Sequence, residues 1–141
     1  MTVDDARIRE ILQNTKVIAM VGASMNPDRP SYGVMQFLLG KGKRVIPVNP
    51  GHAGKELLGQ PIYATLQDIP KGAAVDMVDV FRRSDAVVPI VEQALADLPH
   101  LRTIWLQLGV ESAAGASLAR AQGVTLVQDR CPKIEYARLR M

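Results

Sequence analysis

The sequence predicts an α/β fold of the Rossmann-like, doubly wound kind, in which a mainly parallel sheet of five to six strands carries helices on both faces. Short apolar runs alternate with segments of helical periodicity along the chain, and this alternation favours parallel strands joined by right-handed crossovers. The first apolar run ends in a glycine turn that leads into a helical segment. The chain has 141 residues and is 48% hydrophobic, which suffices for one buried core. We therefore expect a single domain over residues 1–141, with residues 1–14 as a helical lead-in.

The first strand–turn–helix unit predicts a phosphate site. Its strand is residues 17–21, its turn begins at Gly22, and Ser31 is the expected N-cap of the helix that follows. The apolar positions of that helix are Val34, Phe37, Leu38 and Leu39. A helix N-terminus presents N–H groups without intrahelical partners and about half a positive charge, so it attracts phosphate. The unit is therefore typical of a nucleotide-binding protein.

The spacing of the turn disfavours a simple dinucleotide site. The dinucleotide fingerprint, G-x-G-x-x-G, has three glycines in six positions, whereas Gly22 is followed by no glycine before Gly33. The fingerprint also needs an acidic residue after the second strand to hold a ribose hydroxyl. The second predicted strand, residues 44–48, is followed by Asn49 and Pro50. An NAD(P)-dependent oxidoreductase therefore stays as an alternative rather than the main hypothesis.

The rest of the chain continues the alternation of strand and helix. We expect strands over residues 74–81, 103–109 and 124–127, and helices over 84–98, regular from Pro89, and 112–122, closed by Gly123. Pro47 lacks a ladder donor, which predicts that the second strand lies near a sheet edge or contains a bulge. Asp76 and Asp79 are interpreted as solvated residues of a strand end.

Ligands of such sheets bind at the carboxyl ends of the strands, at the topological switch point. This rule brings four segments to one rim, namely residues 22–24, 49–50, 81–84 and 107–109. The charge pattern agrees with it, because the five bases between residues 21 and 60 outnumber the two acids by the whole net charge of +3. A locally positive cleft concentrates an anionic ligand.

Composition disfavours several other classes of protein. Aromatic residues make up 4% of the chain and no basic stripe is present, so nucleic-acid binding is not expected. The apolar runs are too short for a membrane span and the N-terminus lacks a signal-peptide core. The single cysteine, Cys131, suits a cytoplasmic location. Two scattered histidines, His52 and His100, predict no zinc site, and a homodimer is the default expectation for the assembly.

Six blocks of sequence resemble a known family. In order they read VGAS (21–24), NPDRPSYG (26–33), VIPVNP (45–50), DVFRRS (79–84), WLQLG (105–109) and DRCPKIEY (129–136). They closely resemble the YccU-like CoA-binding proteins of bacteria and archaea. The chain also resembles the CoA-binding domain of the succinyl-CoA synthetase α subunit, whose Pro-Gly segment is matched by Pro50 and Gly51. The resemblance implies a Rossmann-like fold that binds coenzyme A through its phosphates and nucleotide.

The resemblance also implies roles for individual residues. The backbone N–H groups of Gly22, Ala23 and Ser24 would approach the pyrophosphate, and Gly33 would allow close packing at the helix start. Other implied contacts come from the loop residue Pro27, from Arg29 and Tyr32 over the phosphates or adenosine, from Asn49 and Pro50, from Val80, Phe81 and Arg82 on the opposite wall, and from Gln107 and Gly109 at the rim. His52 stands where the ligase has a phosphate-contacting lysine, and Lys55 is a substitute for that charge.

The resemblance stops short of a reaction. The ligase has a second domain with a phosphorylated histidine, and that domain has no counterpart in these 141 residues, so its reaction is not expected here. The main hypothesis is a non-catalytic carrier, sensor or regulatory protein that binds coenzyme A or an acyl-CoA. The alternatives are the NAD(P)-dependent oxidoreductase and a regulatory module that binds a protein partner and holds CoA as a structural group.

Overall fold

A parallel sheet of five strands forms the middle layer of the computed structural model, which describes residues 3–141. The strands of the chain are β1 (Val17–Val21), β2 (Arg44–Val48), β3 (Glu56–Leu57), β4 (Gln60–Pro61), β5 (Met77–Val80), β6 (Thr103–Leu106) and β7 (Thr125–Val127). The order across the main sheet is β2-β1-β5-β6-β7, and all four pairings are parallel. Strands β3 and β4 form a separate antiparallel pair. The predicted α/β fold class is therefore confirmed.

Five helices cover the two faces of the sheet. They are α1 (Asp5–Asn14), α2 (Pro30–Gly40), α3 (Val87–Asp97), α4 (Ala113–Ala121) and α5 (Pro132–Arg138). Buried side chains of α1, α2 and α5 form one apolar layer, and those of α3 and α4 form the other. Strand residues alternate between the two layers because successive side chains point to opposite faces. Among the described helices, none is long and apolar enough to cross a membrane.

The position of Pro47 confirms one prediction. Strand β2 is an edge strand of the five-stranded sheet, where a residue without an N–H group is tolerated. The carbonyl oxygen of Pro47 still accepts a hydrogen bond from the N–H group of Tyr63, at 3.1 Å.

The predicted N-cap of α2 is wrong by two residues. The helix begins at Pro30, and Arg29 occupies the N-cap position without a side-chain capping bond. Proline is well suited to the first helical position because its φ is already helical and its missing N–H group would have had no helical partner. The hydroxyl of Ser31 accepts instead from the N–H group of Ser24, at 3.0 Å. Ser31 therefore holds the loop after β1 against the helix.

The interpretation of Asp76 and Asp79 as solvated strand-end residues is wrong for Asp79. Asp76 precedes β5, and its carboxylate accepts from the backbone N–H groups of Lys16 and Val17. Asp79 lies within β5 between Met20 of β1 and Trp105 of β6, and it is 0% exposed. Helices cover both faces of the sheet, so the middle of a central strand has no solvent-facing side.

The C-terminal helix is attached to the sheet through Trp105 and Arg130. The Trp105 ring is fully buried, and its Nε1 group donates to the carbonyl oxygen of Arg130 at 2.8 Å. The guanidinium of Arg130 pairs with the buried carboxylate of Glu135 at 2.9 Å. This chain of contacts fixes the start of α5 next to β6.

Candidate functional site

The topological switch point of the main sheet lies between β1 and β5, because β2 lies on one side of this pair and β6 and β7 lie on the other. Strands β1 and β5 are neighbours in the sheet but are separated in the chain by α2, β2 and the β3–β4 pair. A crevice forms at such a switch point, outside the carboxyl ends of the strands. It holds a cavity of about 650 Å³. The residues that line it are Gly22, Ser24, Arg29, Pro30, Ser31, Phe81, Arg82, Arg83, Gln107, Leu108, Gly109 and Val110.

Gly22 brings the backbones of β1 and β5 together at the floor of the cavity. Its φ is +84°, and a Cβ atom at this position would lie 2.5 Å from the carbonyl oxygen of Phe81 and 3.0 Å from Cδ of Arg82. The backbone of Phe81 is fixed, because its N–H group donates to the oxygen of Val21 at 2.8 Å. Only glycine combines this conformation with this approach.

The N–H groups of residues 22–24, which were predicted to approach the pyrophosphate, donate to acceptors within the protein. The N–H groups of Gly22 and Ala23 both donate to the oxygen of Val48, at 3.0 and 3.4 Å. The N–H group of Ser24 donates to Ser31 Oγ. These groups therefore hold the turn together, and further candidate anion-binding donors lie elsewhere in the cavity.

The N-terminus of α2 supplies such donors. Pro30 and Ser31 of its first turn line the cavity, and no side chain caps the helix. Pro30 has no N–H group, so the donor at this position is the N–H group of Ser31. The N-termini of α3 and α5 also lack a side-chain cap, whereas α1 is capped by the carboxylate of Asp4 and α4 by the hydroxyl of Ser112. An uncapped N-terminus carries a partial positive charge that favours a bound anion.

Three guanidinium groups surround the same cavity. Arg29 precedes α2, while Arg82 and Arg83 follow β5. All three residues are exposed. Arg83 lies 3.5 Å from the exposed carboxylate of Asp85, which lies outside the lining. The cavity lining of the described chain contains three cations and no carboxylate, so its potential is positive.

The rim on the β6 side is held by hydrogen bonds from neighbouring loops. The N–H group of Gly109 donates to Oδ1 of Asp129 at 2.8 Å, and the N–H group of Glu111 donates to Oγ of Ser84 at 3.0 Å. Leu108 projects from this rim with 54% of its surface exposed. Gln107 is only 7% exposed, and its Oε1 atom has no hydrogen-bond partner. The rim therefore presents one apolar and one unpartnered polar side chain.

The cavity brings together seven of the predicted site residues: Gly22, Ser24, Arg29, Phe81, Arg82, Gln107 and Gly109. The other nine, which are Ala23, Pro27, Tyr32, Gly33, Asn49, Pro50, His52, Lys55 and Val80, do not line it. Val80 is a correction, because its side chain is 0% exposed and packs in the α3–α4 layer. Gly33 is another, since nothing lies within 4 Å of a Cβ atom built there and close packing does not require glycine.

The loop after β2 supports the turn from outside the cavity. The side-chain amide of Asn49 donates to the oxygen of Ala23 at 2.8 Å, and its Oδ1 atom accepts from the N–H group of Gly51 at 2.9 Å. His52 is half-buried, with a buried Nδ1 atom that has no partner, and Lys55 is exposed. Asn49 therefore connects the loop after β2 to the loop after β1.

Five residues of the lining were not among the predicted site residues: Pro30, Ser31, Arg83, Leu108 and Val110. The sequence did indicate a role for Arg83, because it directly follows Arg82 in the segment 81–84 that was predicted to lie at the rim. Nothing in the sequence indicated a role for Leu108, since a leucine beside a glycine turn resembles any other apolar residue of a protein surface.

A second cavity, of about 500 Å³, lies beside the edge strand β7. Arg7, Arg120 and Thr125 are among the residues that line it, together with parts of α1, α4 and β7. It lies away from the carboxyl ends of β1 and β5. The switch-point cavity is therefore the better candidate for the main ligand site.

An open parallel sheet with a basic cavity at its switch point defines a class of α/β protein that binds a ligand across the strand ends. The chain belongs to the CoA binding domain family, whose model matches residues 16–137. It is 36% identical over 133 residues to the uncharacterized protein YneT of Bacillus subtilis, a match that covers 94% of this chain and 93% of YneT.

Solved structures with this fold are known. A hypothetical protein from Pyrococcus horikoshii is 35% identical and superposes with a TM-score of 0.89 over 99% of this chain and 94% of its own. The dinucleotide-forming acetyl-coenzyme A synthetase 1 of Candidatus Korarchaeum cryptofilum is 24% identical, with a TM-score of 0.67 over 83% of this chain and 26% of the synthetase. At that identity the second similarity shows the fold alone. The expected membership of a CoA-binding family is confirmed.

Proposed function

We propose that the chain binds coenzyme A or an acyl-CoA in the switch-point cavity, with the diphosphate at the N-terminus of α2. The observation that carries this proposal is the charge of the lining, which has three guanidinium groups and no carboxylate among the described residues. Coenzyme A is a polyanion, and guanidinium groups bind phosphate oxygens through charge-assisted pairs of hydrogen bonds. The CoA-binding family and the fold support the same ligand.

The shape of the cavity supports a ligand with one charged and one apolar part. Its volume of about 650 Å³ lies within the usual range for small-molecule sites, roughly 300–1,000 Å³. Arg29 and the α2 N-terminus form the charged side, while Phe81, Leu108 and Val110 supply apolar surface. We place the phosphates on the charged side and the pantetheine arm along the apolar one.

The chemistry of the lining favours binding over catalysis. Its polar side chains are guanidinium groups, the hydroxyls of Ser24 and Ser31, and the amide of Gln107. None of these is an effective general base near neutral pH, and a general acid–base pair is what most acyl-transfer chemistry needs. We therefore propose a role in carrying or sensing CoA rather than in transforming it.

Thermal unfolding in the presence of ligands tests the proposal. The panel is CoA, acetyl-CoA, dephospho-CoA, NAD, NADP and ATP at matched concentrations. A ligand present at about a hundred times its Kd stabilises the native state by about 2.7 kcal/mol. We expect this stabilisation with CoA or acetyl-CoA and much less with NAD or NADP. A shift with NAD or NADP alone would support the oxidoreductase, and no shift at all would contradict small-molecule binding at this site.

Two arginine variants locate the site. Arg29→Ala removes a cavity guanidinium and should weaken CoA binding by about 1.5–3 kcal/mol, the usual worth of a hydrogen bond to a charged group. Arg9→Ala removes an equal charge from the exposed face of α1 and should leave the affinity within about 0.5 kcal/mol of wild type. Isothermal titration calorimetry measures both, and equal affinities of the two variants would remove Arg29 from the site.

A further inference from the structure

Two neighbouring strands place unpartnered polar side chains beneath the cavity. Both carboxylate oxygens of Asp79 and the Oε1 atom of Gln107 are buried without a hydrogen-bond partner. Asp79 is 0% exposed and Gln107 is 7% exposed. A buried polar group without a partner is costly, so native proteins keep very few of them. In the described chain only His52 shares this condition.

The sheet register puts Asp79 and Gln107 in diagonal positions on neighbouring strands. Asp79 is paired with Trp105, and Val80 is paired with Leu106. Side chains alternate along a strand, so Asp79 and Gln107 point to the same face, with Gln107 one strand across and two residues nearer the rim. Gln107 lines the cavity, whereas Asp79 does not. Asp79 can therefore reach a bound ligand only through a neighbour such as Gln107.

The surroundings of Asp79 favour a neutral carboxylic acid. Burial raises the pKa of Asp79 well above its usual range, and no charged neighbour contributes to this shift. The layer that Asp79 faces contains the titratable groups Tyr32 of α2 and Cys131, Glu135 and Tyr136 at α5, while β1 and β6 present none to it. A neutral acid has one O–H donor, and Oε1 of Gln107 is an acceptor in need of one.

We propose that Asp79 is a positioning residue for the site, because its O–H group donates to Oε1 of Gln107 and thereby turns the Gln107 amide NH₂ toward the bound ligand. No hydrogen bond joins the two side chains in the conformation described here, so rotation about the outer torsions of Gln107 forms it. The oriented NH₂ group then donates to an oxygen of the ligand. The inference rests on the proposed binding of CoA for the identity of that ligand.

Substitutions of Asp79 separate positioning from packing. Asp79→Asn keeps a neutral hydrogen-bond donor, and we expect its Kd for CoA to stay within about twofold of wild type. Asp79→Leu removes the donor, and we expect the Kd to rise roughly fivefold or more, as for the loss of one hydrogen bond. The Leu variant should nevertheless be at least as stable as wild type, because an apolar group replaces an unpartnered polar one. Thr103→Val changes a buried polar residue on the same face of β6 and serves as the control with unchanged Kd.

A double-mutant cycle tests the coupling between the two residues. Gln107→Leu removes the group that Asp79 is proposed to orient, so the double variant should bind CoA no more weakly than Gln107→Leu alone. If the two substitutions instead act independently, so that their fold-changes in Kd multiply in the double variant, the proposal is overturned. An Asp79→Leu variant that binds CoA within twofold of wild type would also overturn it.

Nuclear magnetic resonance of the free protein keeps the test independent of CoA. The Gln107 side-chain NH₂ signals should have similar shifts and slow hydrogen exchange in wild type and Asp79→Asn, and the Asp79 carboxyl carbon should have the shift of a protonated acid at neutral pH. An ionised Asp79, or Gln107 signals that differ between wild type and Asp79→Asn, would overturn the proposal even if Asp79→Leu fails to fold. If wild type does not bind CoA while these signals behave as expected, the proposed ligand is wrong and the Asp79–Gln107 contact stands.

Discussion

The substitution Gly22→Ala tests the part of the structure that shapes the cavity floor. Two costs add at this position. An alanine at φ +84° is strained by about 1–2 kcal/mol, of which the stiffer unfolded chain offsets about half. The new Cβ atom would also lie 2.5 Å from the carbonyl oxygen of Phe81, and overpacking of this kind costs about 1–3 kcal/mol. We expect a total loss of about 1.5–4 kcal/mol.

Gly42→Ala provides the matched control. Gly42 has nearly the same φ, +83°, and nothing lies within 4 Å of a Cβ atom there, so only the conformational cost applies. That cost is about 1 kcal/mol. For a chain of this length the expected losses correspond to a fall in Tm of about 6–16 °C for Gly22→Ala and about 4 °C for Gly42→Ala.

Differential scanning calorimetry and titration with CoA measure the two consequences of Gly22→Ala. The clash displaces the backbone of Phe81 or the side chain of Arg82, so CoA affinity should fall with stability. Gly42, at the far end of α2, should leave the affinity unchanged. If Gly22→Ala is as stable as Gly42→Ala, the close approach of β1 and β5 is not a feature of the folded chain and the reasoning fails.

Three further predictions concern the core and the charge of the cavity. Burial raises the pKa of Asp79 well above 3.8, the ordinary value of an aspartate. Below about pH 3.8 both states are protonated. Above that pH the unfolded chain releases the proton while the folded chain keeps it, so the stability of wild type relative to Asp79→Asn should fall by about 1.4 kcal/mol per pH unit until the folded pKa is reached. Urea denaturation across this range measures the slope, and parallel curves would contradict it. Trp105→Phe removes the donor to the Arg130 oxygen and should destabilise by about 2–4 kcal/mol. Circular dichroism is the readout there, because Trp105 is the single tryptophan, and a loss below about 1 kcal/mol would contradict the assigned hydrogen bond. Added salt should weaken CoA binding more in wild type than in Arg29→Ala, and equal salt dependence would argue against an Arg29–phosphate contact.

The sequence predicted those parts of the fold that depend on local periodicity. Apolar runs placed the five main strands. The missing N–H group of Pro47 indicated an edge or a bulge, and β2 lies at the edge. The N-cap of α2 was wrongly assigned to Ser31 because the helix already begins at Pro30. The partner of the Ser31 hydroxyl depends on which loop of the folded chain lies against it. Ser31 is engaged by Ser24, and that contact has no counterpart in periodicity.

The environment of Asp79 could not be predicted for a different reason. A carboxylate within an apolar run normally indicates exposure, and the cover of α2 and α5 over β5 is a property of the tertiary structure. The same limitation applies to the turn at residues 22–24. The sequence identified it as a glycine turn, but the acceptors Val48 and Ser31 that engage its N–H groups come from segments that only the folded chain brings near.

The adjacency of β1 and β5 has a consequence for how the protein folds. One wall of the cavity is made by residues 22–31 and the other by residues 81–110, so neither segment carries a site by itself. A ligand that fills the cavity meets its partners only after the two segments have docked, and it therefore slows unfolding while leaving the refolding rate unchanged. During synthesis the cavity is absent until the segment through Val110 has left the ribosome and joined the sheet.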